Sequence, residues 1–75
     1  MIAFLSGKIA ALTDEAVILE VNGVGYEVLM PPSVLTALRC GEPLTLYTYL
    51  AHREDAMVLY GFTNQQEKAL FLNLI

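Results

Sequence analysis

The densest group of side chains able to do chemistry is His52, Arg53, Glu54 and Asp55, four consecutive polar residues between two apolar runs. Glu54 and Asp55 adjoin, and paired carboxylates can divide acid and base work when their surroundings split their pKa values. A projecting polar tip supplies neither a pocket nor desolvation, so no catalytic role is assigned to the pair. Two readings remain. The tip is either a solvated turn whose charges keep a strand edge soluble, or a fixed negative charge that repels a wrong partner. Arg53 and Lys8 are isolated positive charges and read first as surface residues. Cys40 is the single Cys and His52 the single His, which excludes an internal disulfide and leaves no zinc ligand set. Cys40 therefore reads as a reduced thiol in a cytosolic protein. Gly23, Val24 and Gly25 resemble a piece of a dinucleotide fingerprint, but the motif is incomplete and precedes a strand, so it marks only a turn. Tyr47, Tyr49 and Tyr60 have the ring faces needed to stack bases, yet with few basic neighbours they read as core or interface. With no activated nucleophile, metal set or phosphate loop, no catalytic residue, metal or cofactor is expected.

The elements that must position the tip follow from alternation. In Leu44–Phe62, residues Leu44, Leu46, Thr48 and Leu50 fall on one face of an extended chain and Thr45, Tyr47, Tyr49 and Ala51 on the other. The return arm sets Ala56, Val58, Tyr60 and Phe62 against Met57, Leu59 and Gly61. β-Branched and aromatic residues fill both arms, which predicts an antiparallel hairpin with His52 to Asp55 at its end. Upstream, Met1 to Thr13 reads as one extended strand bent at Ser6, Gly7 and Lys8, so that it serves two sides of a barrel. Ala16–Val21 and Val24–Met30 are the next two strands, joined by Asn22 and Gly23, which tolerate the positive φ of a type I′ turn. Pro31 and Pro32 stop the third strand. Ser33 is positioned to cap a short helix over about Ser33 to Leu38. Thr63 with Gln66, and Asn64 with Glu67, both fit a capping box, so a second helix starts near residue 64. Its apolar residues cover much of its circumference and run to Ile75 without a Gly cap, and the chain is expected to be cut inside a helix whose partner surface lies in a further domain.

This order predicts a mostly β fold: a five-stranded OB-fold Greek-key barrel with a short helix between strands 3 and 4, plus a C-terminal helix. An SH3-like barrel is the alternative. The hairpin between the last two strands is one of the loops with which OB-folds commonly meet oligonucleotides or oligosaccharides. The 75 residues form one domain at most, and a chain of this size buries only about 60% of its unfolded surface. Apolar residues are 56% of the chain. That is more than one small barrel needs to cover, and it favours an interface with another copy or domain. Eight acidic residues against four basic ones give a net charge of −4, unlike a self-sufficient nucleic-acid binder, which supplies Lys and Arg to displace phosphate counterions. No run approaches the roughly 18 apolar residues of a membrane span, and the start has no charged segment followed by an apolar core and cleavage site. A soluble, cytoplasmic protein without membrane contact is expected.

The opening MIAFLSGKI, the segment VNGVGYEVLMP and above all HREDAMVLYGFTNQQEKALFLNLI resemble the N-terminal region of the bacterial RuvA family, the Holliday junction branch migration subunits. The resemblance covers essentially the whole chain. It implies a three-domain parent: this OB-fold over residues 1–63, then a domain of two helix-hairpin-helix motifs gripping DNA backbones, whose first helix is residues 64–75, then a mobile domain that binds a RuvB-type hexameric ATPase motor. It further implies a non-catalytic subunit acting in recombination, DNA repair and the SOS response to DNA damage. The expected partners are four-way junction DNA, three further copies in a homotetramer, and a RuvC-type junction resolvase. Glu54 and Asp55 match the family's acidic pin, and Arg53 matches a basic residue beside it that contacts phosphate. Family members often carry Arg just before the first-strand Gly, where this chain has Ser6. A basic contact from that bend is therefore not carried over, and Lys8 is not assigned it. The alternative is an OB-fold oligomerisation or protein-interaction module that never meets DNA. Gly-rich hairpins between short helices with nearby Lys, beyond Ile75, would separate the two.

Overall fold

The computed structural model describes residues 1–74. Five strands, β1 (Phe4–Leu12), β2 (Ala16–Val21), β3 (Val24–Leu29), β4 (Pro43–Arg53) and β5 (Ala56–Phe62), are joined by α1 (Pro32–Leu35) and followed by α2 (Gln65–Leu74). The strands close into a barrel in the order β1-β2-β3-β5-β4. Four of the ladders are antiparallel. The seam is parallel and short, with Val28 opposite Leu59 and Leu29 opposite Tyr60. This is the OB-fold order expected from the sequence, with the helix between the third and fourth strands.

β1 serves two neighbours because it bends. Phe4 to Lys8 pair with β4, and Lys8 to Leu12 pair with β2, with a register shift between Ile9 and Ala11. At Gly7 a Cβ would collide with the Glu20 carbonyl oxygen, so only glycine lets the two backbones approach this closely. Strand assignment begins at Phe4 rather than Met1, but the preceding residues are tied down: the Thr48 backbone N–H donates to Ala3 O at 2.9 Å, and the Thr48 hydroxyl donates to Ile2 O at 2.7 Å.

The β2–β3 turn has the conformation that Asn-Gly predicts, with φ of 51° at Asn22 and 86° at Gly23, matching a type I′ hairpin. The Glu20 carboxylate accepts from the Gly23 N–H at 2.7 Å and adds a clamp across it. α1 departs from expectation. It ends at Leu35 instead of Leu38, and its N-cap is Pro31, with no side-chain cap; Ser33 lies inside the helix. Proline occupies the first helical position, where the absent N–H costs nothing, and the chain then tightens through i to i+3 bonds such as Ala37 N–H to Val34 O. Alternation places the core: Leu5, Ile9, Val17, Leu19, Val28, Met30, Leu35 and Leu46 pack inside the barrel.

Candidate functional site

β4 and β5 build the site. Their ladder runs from Tyr47 opposite Phe62 to Arg53 opposite Ala56. The expected tip of four residues is therefore a turn of two, because His52 and Arg53 remain paired. Glu54 and Asp55 alone make the turn, both exposed and neither with a positive φ. The ladder pair between β5 and β3 nearest the turn is at Leu59, four residues after Asp55. The turn thus stands about 13 Å beyond the barrel at the usual strand rise. Of its two side chains, Glu54 borders an open groove beside the turn.

The two faces of this ribbon differ. Leu46 and Thr48 point inward and are fully buried, whereas Tyr49, Tyr60 and Phe62 lie on the outer face, where Phe71 of α2 covers them with ring centroids at 5.8, 5.5 and 5.1 Å. These tilted packings are favoured aromatic geometries. They make Tyr49 and Tyr60 interface residues between barrel and helix. α2 is fixed at its start by Asn64, whose side-chain oxygen accepts from the Glu67 N–H at 2.8 Å. Glu67 turns back to Thr63, accepting from its hydroxyl at 2.9 Å and its N–H at 3.3 Å, so the capping box is reciprocal but displaced by one residue.

Arg53 shares the outer face with Tyr49 and Tyr60. Its guanidinium donates to the Tyr60 hydroxyl at 2.7 Å, leaving further N–H groups for another acceptor. A groove of about 500 Å³ lies here, lined by Tyr49, Ala51, His52, Arg53, Glu54, Tyr60 and Phe71. The Tyr60 partner was not foreseen from the sequence, which placed Arg53 in the tip; the ladder, with Arg53 opposite Ala56 and Tyr49 opposite Tyr60, sets Arg53 and Tyr60 on one face. Lys8 and Ser6 are not brought to the tip. Lys8 is opposite Pro43, at the far end of β4 from Arg53, roughly 30 Å along the strand. Ser6 shares a hydrogen bond with Thr45, 2.9 Å between hydroxyl oxygens. Cys40 is an exposed free thiol. Among the described residues no three His, Cys, Asp or Glu side chains gather to hold a metal ion. None of the described helices is long and apolar enough to cross a membrane.

Comparison with known proteins places this architecture. The chain is similar to Holliday junction branch migration complex subunits RuvA: 48% identical over 71 residues to that of Streptomyces coelicolor, covering 95% of this chain and 35% of the relative. It is also 48% identical over 75 residues to those of Acinetobacter baumannii and Acinetobacter baylyi, covering all of this chain and 38% and 37% of the relatives. The chain thus spans a little over a third of the length of these relatives. The family model described as RuvA N terminal domain matches residues 1–61, the whole barrel but for one residue of β5, and the chain belongs to that family.

Proposed function

We propose that this chain is the junction-facing barrel of a non-catalytic subunit that recognises four-way DNA junctions and acts in branch migration. The observation that carries the proposal is the 48% identity, over the full chain, to subunits named for that process. Residues 1–63 are then the barrel domain. Residues 64–75 open a helix-hairpin-helix domain that supplies the backbone contacts this acidic barrel lacks; Ile75 lies outside the described residues. The parent works in the cytoplasm as a homotetramer with a RuvB-type hexameric ATPase, which supplies the chemical energy, and hands junctions to a RuvC-type resolvase.

The tip acts by charge. In a four-fold assembly the Glu54 and Asp55 pairs of four copies place eight carboxylates where strands exchange. Like charges about 4 Å apart repel by about 1 kcal/mol in water and about 4 at an effective dielectric of 20. Phosphates of a continuous duplex are discouraged from crossing the centre, so affinity is lowered while selectivity rises. Arg53 offsets part of this repulsion through one phosphate. The projection of the turn from the barrel and the exposure of both side chains support this role.

The test is binding of the intact parent protein to a four-way junction and to linear duplex at one fixed salt concentration, with and without Glu54→Gln plus Asp55→Asn. The parent is expected to prefer the junction, and the double change to strengthen duplex binding more than junction binding. Failure to bind either DNA would leave the protein-interaction module as the reading. Junction binding that the double change leaves untouched would retain the family role and remove the pin mechanism.

A further inference from the structure

Arg53 is adjacent in sequence to two carboxylates, and a guanidinium makes its strongest hydrogen bonds with carboxylate oxygens. Left free at an exposed tip, it would fold onto Glu54 or Asp55 and cancel part of their charge. In the structure it instead donates to the Tyr60 hydroxyl, 2.7 Å away and seven residues along the return strand. Tyr60 is itself held. Its ring packs on Phe71 at 5.5 Å, and its backbone lies at the barrel seam opposite Leu29. The cation thus lies on the outer face, bonded to Tyr60 in a groove that Glu54 also borders. The guanidinium is engaged by the tyrosine hydroxyl and not by either carboxylate of the turn.

We propose that Tyr60 is a positioning residue that separates the Arg53 cation from the acidic tip, keeping both carboxylates uncompensated and Arg53 directed at a phosphate in the flanking groove. The inference rests on the junction-binding role proposed above. Tyr60 touches no DNA; it acts through Arg53. Tyr60→Phe removes the hydroxyl and keeps the ring that packs on Phe71, so the barrel and α2 are retained while the guanidinium is released toward Glu54 and Asp55.

The experiment measures junction and duplex binding of the intact protein at one fixed salt concentration in four forms: unaltered, Tyr60→Phe, Glu54→Gln plus Asp55→Asn, and all three changes together. Tyr60→Phe is expected to lower the junction-over-duplex preference about fivefold, the scale of one net hydrogen bond. The same change in the neutralised-tip background should cost markedly less preference, because no carboxylate remains to capture Arg53 and only its aim at phosphate is lost. An equal loss in both backgrounds would show a merely structural tyrosine and overturn the inference. So would no loss in the unaltered background, or a neutralised tip that leaves the preference intact. If the unaltered protein shows no preference for junctions, the proposed function falls first and this inference with it.

Discussion

Thr48 is fully buried among aliphatic side chains, the one buried polar residue among those described, and its hydroxyl donates to the Ile2 carbonyl at 2.7 Å. By pattern it occupies a core position of β4, and alternation identified the face; what no pattern could show was a partner 46 residues away. Replacing it with Val keeps the shape and strands the Ile2 carbonyl, so Thr48→Val is expected to lower stability by about 1–2 kcal/mol, read as a lower midpoint in urea unfolding of the chain. Thr48→Ser keeps the hydroxyl and tests whether the bond or the methyl matters more. Gly61 makes a complementary case. It is buried inside the barrel, and a Cβ there would meet Val28 Cγ1 at 2.5 Å, so Gly61→Ala is expected to cost about 1–3 kcal/mol through overpacking and to shift the same midpoint. Sequence alternation set Gly61 on one face with Met57 and Leu59, but the closeness of Val28 depends on the parallel seam, which is a tertiary fact.

At the scale of elements, the strands were legible because period-2 alternation and an Asn-Gly turn are local signals. α1 was less so. Ser33 has the right chemistry for a cap, yet Pro31 and Pro32 already fix the backbone geometry needed to start the helix, and proline's constraint on φ outweighs a side-chain hydrogen bond. The tip was read as longer than it is because four polar residues share a composition that ladder hydrogen bonds ignore. α2 depends on its cap and on Phe71, since none of its described residues is fully buried. Asn64→Ala is expected to cost about 1 kcal/mol. Because few contacts join α2 to the barrel, the loss should appear as faster hydrogen exchange of the α2 amides with barrel amides unchanged. Equal acceleration throughout would show instead that helix and barrel open as one unit.

Taken whole, the molecule has a Cα radius of gyration of 11.8 Å and extents of 32 × 25 × 20 Å, slightly above the roughly 11 Å of a compact chain this long, as a projecting ribbon requires. The acidic balance was readable from composition, but its meaning was not, since net charge says nothing about where charges stand. In the fold both carboxylates of the turn lie at one extremity and Lys8 at the other end of β4. Beyond the short seam, the projecting hairpin presents free strand edge, where Arg53, Glu54 and Asp55 act against strand addition. Neutralising the tip is therefore expected to raise self-association of the protein, measured by light scattering over a concentration series; unchanged scattering would assign the tip no such role.

Tyr47 is flanked by Phe4 on one side and by Phe62 on the other. The first residue of β1 and the last of β5 are thus level with each other, one strand apart on either side of β4, about 10 Å at usual strand spacing. Tension applied between the segments before Phe4 and after Phe62 would load the ladders beside Tyr47 first. It would not stretch the turn at Glu54 and Asp55. Mechanically, the projecting hairpin is a side branch rather than a link in series, so the tip can press on whatever it meets without carrying a load applied through those two segments.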